Sequence, residues 1–338
     1  MEAVSLKILF LSGYDIKSLL EMEEAIKVVE EAFKEKGLGK VQMPSKQYLF
    51  YKKYGGDLRV MPSYLEELDI SAVKIVNSHP ENRKYNLPTV MAIIVLIEPK
   101  TGAPLAIMDG TWITAIRTGA ASAVATKYLA RKNSKILGLI GAGAQAYTQL
   151  KGISCIVDFK EVWVWSLKSD EIEKFIQRVE EEYPGKVFYA AKTIKDAVRN
   201  ADIIVTATPS RKPLVDAEWI KGDIHINAIG ADAPGKQELD PRILKKAKIV
   251  VDDLNQSCHG GEVNVPLAQG LLKIEDIYGE LGEIVAGKKV GRASDDELTV
   301  FVSTGLAIQD AVTANLVYRK ALKSGIGKLV DIKEFLSF

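Results

Sequence analysis

Three short stretches hold side chains that could do chemistry. In SAVKIV, residues 71 to 76, Lys74 sits within a run that reads as a short buried strand. An unpaired ammonium in a core is unfavourable, so Lys74 loses its proton, finds a carboxylate, or faces a polar cavity. In KILGLIGAGAQA, residues 135 to 146, Gly141, Gly143 and Ala146 fit G-x-G-x-x-A between a predicted strand and a predicted helix. The first glycine permits a tight turn, the second lets backbone approach a pyrophosphate, and the small third residue allows close helix–strand packing. Free N–H groups and the dipole at the helix start would then favour the phosphates. In GADAPGK, residues 230 to 236, Asp232 follows a strand end. A carboxylate on a rigid loop there would suit a general acid/base, and an Asx-type turn explains it equally well on pattern alone.

The residue after the second strand of such a unit reports on the ribose. EVWVW ends at Trp165 and is followed by Ser166, Leu167 and Lys168. NAD enzymes often place Asp or Glu there to accept from the 2′-hydroxyl. With no carboxylate at that position and a lysine nearby, the pattern leans toward NADP without excluding NAD. Lys168 equally fits a solvated residue at a helix start. Cys258, His259 and Glu262 are too few and too irregularly spaced for a zinc site, so no metal is assigned. His79, before Pro80, could touch substrate, but the cap of a turn is the reading preferred.

These residues need elements to hold them. Residues 22 to 36, MEEAIKVVEEAFKEK, carry apolar positions at helical spacing and stop at Gly37. The runs QYLFYKK, DLRVMP, SAVKIV, TVMAIIVLIEP and APLAIMDG then read as strands separated by Gly, Pro and Asn turn signals. A long helix with a slim stretch of small residues follows over 111 to 131. From Ser134 the rhythm becomes strand, helix, strand, through KILGLIG, EVWVWS, KVFYAA, ADIIVTATP, DIHINAIG and AKIVVDD. That alternation predicts a Rossmann-type, doubly wound parallel sheet with helices on both faces. A last helix, from about Gly305 to Lys323, is expected to return to the first unit. The expected domains are therefore 1–125 with 305–338, mainly β, and an inserted dinucleotide-binding domain over 126–304.

Composition narrows the partners. The 338 residues carry 45 basic and 44 acidic side chains, a net charge of +1, which argues against nucleic acid or a membrane surface. Two cysteines give no disulfide framework, and no run of apolar residues is long enough to span a membrane. MEAVSLKILFLSGYD lacks the marks of a signal peptide. The expectation is a cytoplasmic protein.

Read together, RVMPSY (59–64), VKIVNSHPEN (73–82), LPTVMA (87–92), TGAPLAIMDG (101–110), IRTGAAS (116–122), LIGAGAQA (139–146) and AIGADAPGKQEL (228–239) resemble the ornithine cyclodeaminase/μ-crystallin family. HGGEVN (259–264) and STGLAIQD (303–310) extend the likeness nearly to the carboxyl end, and within the family it is most similar to the archaeal alanine dehydrogenases. The resemblance implies a homodimer whose mainly β domain binds substrate. It implies that Lys74 lines the substrate pocket, binding a carboxylate or polarising water, and that Asp232 gives and takes protons. Arg117 matches a family arginine that contacts the substrate carboxylate and cofactor phosphate, and Lys46 falls where many members carry a substrate-binding arginine. Thr89, Gly141, Gly143, Ala144, Gln145, Ser166, Thr208, Ile229, Gly230, Lys236 and Ser303 are the expected cofactor contacts.

One position departs from part of the family. Ornithine cyclodeaminases carry a glutamate where this chain has Arg59, and a cation there would repel a second substrate ammonium and attract a carboxylate. The resemblance thus implies reversible NAD(P)-dependent oxidative deamination of L-alanine, or another small L-amino acid, to the 2-oxo acid and ammonia. The alternatives are an ornithine cyclodeaminase, an NADPH-dependent ketimine or cyclic-imine reductase, and a μ-crystallin-like NADPH-binding protein.

Overall fold

The computed structural model describes residues 7–335. The chain forms two compact units, one running to Arg117 and resuming at Leu306, the other Thr118–Gly305. The sequence put the crossings near residues 125 and 305; the first lies within the helix Thr111–Leu129.

In the first unit the strands Gly56–Leu65, Ile70–Ser78, Val90–Ile97 and Pro104–Asp109 pair antiparallel in succession. Gln47–Tyr51 and Val41–Gln42 pair with Gly56–Leu65 at one side. Lys7–Leu11 lies parallel to Pro104–Asp109, and Lys328–Asp331 closes that edge. Alternate residues Ile70, Ala72, Lys74 and Val76 are buried, so strand periodicity alone gives Lys74 a core-facing slot. The helix Ala307–Ser324 packs on this sheet, and Met61, Val76, Ala92 and Ala307 form an apolar cluster. The helix Met22–Leu38 passes through the predicted stop at Gly37 and ends at Gly39, whose φ of 77° suits a glycine cap. Gly37 is buried inside that helix, where a residue without a side chain reads like a stop but fills a packing position.

The second unit is a doubly wound parallel sheet of the Rossmann type. Its order is Val187–Ala190, Glu161–Trp165, Ile136–Ile140, Ile203–Thr206, His225–Ala228, Thr299–Val302, Lys248–Val251 and Ile277–Glu280, and every pair is parallel. After Ile136–Ile140 the chain builds two strands outward on one side, then returns to add Ile203–Thr206 on the other. The crevice at such a reversal is where open α/β sheets bind ligands. Thr299–Val302, TVFV, escaped the sequence reading because four wholly buried residues carry no alternation.

Candidate active site

Lys74 is 1% exposed. Its Nζ lies 2.6 Å from Asp310 Oδ2 and donates to Thr114 Oγ1 at 3.4 Å. Asp310 Oδ1 accepts from Arg117 Nε at 2.9 Å, and Arg117 Nη1 donates to Gln309 Oε1 at 3.0 Å. Thr114 and Arg117 are three residues apart on Thr111–Leu129 and so share a helix face. Gln309 and Asp310 lie in the first turn of Ala307–Ser324. One carboxylate therefore serves two buried cations. Burial pushes the Lys74 ammonium down to about 7, the Arg117 charge pushes the same way, Asp310 pulls partly back, and Lys46 adds a smaller downward push. A lysine titrating near neutrality can exchange a proton or, when charged, hold an anion.

Of the three fates the sequence left open for Lys74, a carboxylate partner is the one found, and it is Asp310, which the sequence reading did not single out. Asp310 and Gln309 could have been suspected as polar residues in a helix start otherwise made of Ala307, Ile308, Ala311 and Val312.

Arg59 stands on the neighbouring strand. Met61 is opposite Lys74 and Arg59 opposite Val76, so Arg59 and Lys74 share the inner face. Arg59 Nε and Nη2 donate to Asp57 Oδ1 and Oδ2 at 2.9 and 3.1 Å, and its guanidinium lies 5.4 Å from the Tyr48 ring centre. Asp57 thus pairs with Arg59 and offsets the charge expected to repel a second substrate ammonium and to attract a carboxylate. His79 packs flat against Tyr51 and fills the space over Gly56, where a Cβ would come within 2.2 Å of Nδ1. Its side chain makes no capping hydrogen bond, and its N–H donates to Thr89 O at 2.8 Å. A shallow groove of about 670 Å³ beside Phe10, Asp15, Ile93 and Asp109 includes none of the clustered residues.

The second unit holds the glycine turn. Gly141 has φ 123°, donates its N–H to Trp165 O at 2.7 Å, and leaves no room for a Cβ, which would meet Ala207 O at 2.7 Å. Gly143 caps the helix Ala144–Ser154, and a Cβ there meets no described atom within 4 Å. Ala146 is buried, and Gln145 Oε1 is a buried acceptor without a partner among the described residues. A tight turn, a bare second glycine and a helix start with free N–H groups fit a dinucleotide pyrophosphate.

Two buried carboxylates, not singled out for this in the sequence, fix the loops beyond the neighbouring strands. Glu238 accepts from Thr208 N at 2.7 Å and Gly230 N at 2.9 Å. Glu262 accepts from Glu238 N at 2.9 Å and Leu239 N at 2.6 Å. Burial pushes both carboxyls up, and the Glu238 charge pushes Glu262 further, well above the usual range. A Cβ at Gly230 would come within 2.2 Å of Thr208 O, so these loops meet only because residue 230 is glycine. Between them, Asp232 Oδ1 pairs with Lys236 Nζ at 2.5 Å. Ile229 is buried. Ser303 Oγ lies 3.4 Å from Asp252 Oδ2, which also accepts from Thr304 N and Gly305 N at 2.6 and 2.8 Å. Ser166 Oγ donates to Glu171 Oε2 at 2.9 Å, and Lys168 Nζ is 3.7 Å from Glu171 Oε1.

Glu262 is turned to main-chain N–H groups and His259 Nδ1 to Asn255 O. Among the described residues no three of His, Cys, Asp and Glu gather as a metal site. No described helix is long and apolar enough to cross a membrane.

A parallel doubly wound sheet with a glycine turn at its switch point, carried by a chain with a buried lysine–carboxylate–arginine cluster, defines a nicotinamide-type oxidoreductase. The particular family follows from residues 7–325, which match the ornithine cyclodeaminase/mu-crystallin family; the chain belongs to it. It is 50% identical over 322 residues to alanine dehydrogenase of Archaeoglobus fulgidus, covering 95% of this chain and 98% of that one. Among solved structures it is similar to an archaeal alanine dehydrogenase dimer with bound NAD (TM-score 0.91, 50% identity, 96% and 99% covered). It is also similar to the Thermococcus litoralis Delta(1)-pyrroline-2-carboxylate reductase in complex with NADH and L-proline (TM-score 0.93, 42% identity, 96% and 100% covered).

Proposed function

We propose that this protein is a homodimeric, NAD(P)-dependent amino-acid dehydrogenase that reversibly deaminates a small L-amino acid, L-alanine foremost, to its 2-oxo acid and ammonia. The observation that carries this reading is the ratio of two buried cations to one carboxylate at Lys74, Arg117 and Asp310. A second buried positive charge beside one carboxylate is unfavourable, so Lys74 holds its proton only weakly near neutrality, and a bound substrate carboxylate would complete the charge and retain that proton. Lys46 adds to the same field.

Arg117 is held from two sides by Asp310 and Gln309, so its fork is fixed before substrate arrives. Lys74 binds the carboxylate when charged and, titrating near neutrality, passes a proton to or from the substrate nitrogen or water. Asp232, paired with Lys236, serves as a second proton carrier as water adds and ammonia leaves. Gly141, Gly143, Ala144 and Gln145 would hold the pyrophosphate, and Thr89, Thr208, Ile229, Gly230 and Ser303 would be contacts for the rest of the dinucleotide. The bound nicotinamide supplies the hydride acceptor. The dimeric, NAD-bound archaeal relative supports both the assembly and the cofactor.

A second reading comes from the Thermococcus relative, which carries NADH and L-proline. A cyclic imine with a carboxylate beside its C=N carbon asks for the same cation excess, with hydride running toward the ring. The test is oxidation of NADH or NADPH by purified protein given pyruvate with ammonium, or Δ1-pyrroline-2-carboxylate alone. Turnover that needs both pyruvate and ammonium supports the first reading, and turnover confined to the cyclic imine replaces it with the second. Silence with every substrate, while cofactor still binds, sinks both.

A further inference from the structure

We infer that Glu171 reads the 2′ position of the cofactor's adenosine ribose, accepting from a free 2′-hydroxyl and repelling a 2′-phosphate, so that the protein prefers NAD(H). This rests on the dinucleotide reading above and goes beyond it. Ser166 is the residue after Trp165, and Trp165 lies opposite Ile140 in the parallel register. Gly141 N–H donates to Trp165 O, so the ribose-reading corner and the pyrophosphate turn are adjoining backbone.

The carboxylate expected at that corner is missing from the strand end but not from the space around it. Glu171 sits in the first turn of the helix Ser169–Glu182, five residues beyond Ser166, and Ser166 Oγ donates to its Oε2 at 2.9 Å. With its proton committed to Glu171, the serine has only lone pairs to offer a ligand, which suit a hydroxyl and not a phosphate dianion. Lys168, the cation that would welcome a phosphate, lies 3.7 Å from Glu171 Oε1 and is offset by it. At 33% side-chain exposure Glu171 is open enough to meet a ligand and sheltered enough for its charge to be felt. The helix thus supplies from its first turn what related folds supply from the strand.

The experiment measures dissociation constants for NADH and NADPH by energy transfer from protein tryptophan to the bound reduced nicotinamide, for the wild type and Glu171→Gln. Glutamine keeps the hydrogen bond to Ser166 and removes the charge. The wild type is expected to bind NADH at least about tenfold more tightly than NADPH, and E171Q to shrink that ratio by about tenfold, mainly through tighter NADPH. Salt gives an independent reading on unmodified protein. Repulsion by Glu171 is screened as ionic strength rises, so discrimination against NADPH should fall, whereas attraction by Lys168 would make it grow. Equal wild-type affinities, a ratio unchanged within twofold in E171Q, or discrimination that rises with salt each overturn the inference. Failure of the wild type to bind either nucleotide removes the cofactor reading itself, and this inference with it.

Discussion

Asp310 in the first unit and Glu238 in the second are both buried carboxylates, but their partners differ in kind. Asp310 stands between the ammonium of Lys74 and the guanidinium of Arg117. Glu238 and Glu262 accept mostly from main-chain N–H groups and tie loops together. The first arrangement leaves a positive charge over whenever Lys74 is protonated and so invites an anion. The second spends its hydrogen-bonding capacity on backbone shape and invites nothing. Buried charge alone therefore does not mark a reaction centre; what marks it is an imbalance that a ligand could complete.

Breaking the first cluster should do the most damage to activity. Lys74→Met preserves bulk and removes the amine, and kcat/KM should fall about 10⁴-fold while NADH affinity stays within twofold. Steady-state kinetics beside nucleotide titration would show this, and a loss under tenfold would mean the cluster is not where chemistry occurs. Asp310→Asn strands two buried cations without their carboxylate. Urea unfolding should report a loss of about 3–5 kcal/mol. The contrasting variant, Glu262→Gln, keeps an oxygen for the main-chain donors and should cost only about 1–2 kcal/mol in the same assay. Equal losses would erase the distinction between the clusters.

A finer contrast lies in how stability follows pH. Lys74 has a folded pKa lowered from 10.5 to about 7, so between these values the unfolded chain holds a proton that the folded chain releases. Stability should then rise with pH across that window, by at most about 1.4 kcal/mol per unit, with the full penalty in place below pH 7. Glu262 works in the opposite sense. Its folded pKa is raised from 4.5, so its contribution is whole below 4.5 and is lost as pH climbs through the folded value. Denaturation curves from pH 7 to 10.5 should lose the upward component in Lys74→Met, and curves taken upward from pH 4.5 should lose the downward one in Glu262→Gln.

The glycine turn was legible because its work is done by contiguous residues: positive φ at Gly141 and open space at Gly143 are local needs that only glycine meets. Lys74 was legible as a problem, a cation in a buried strand, but not its solution. Arg117 and Asp310 are 193 residues apart, and no local pattern announces that pairing. Asp57 could have been read, since two residues on one strand face the same way, and counting it would have moderated what Arg59 implied. Glu171 was missed because the spacing rule looks at the end of a strand, whereas the carboxylate arrives from the next helix. Glu262 was weighed only as an unlikely metal ligand, and its service to main-chain amides is invisible until the loops are folded.

The backbone at the two crossings between the units bears on how the protein breaks. Arg117 and Thr118 are consecutive residues of one uninterrupted helix. At the other crossing, Thr304 and Gly305 give their N–H groups to Asp252, and Leu306 gives its own to Gln309 Oε1 at 3.2 Å. Proteases need extended, accessible chain, and neither crossing offers it. Limited digestion should therefore nick exposed turns such as those around Tyr54 or Tyr85, 60% and 73% exposed, and leave no free Thr118–Gly305 fragment. A chain divided in two by its architecture would thus resist being divided by a knife.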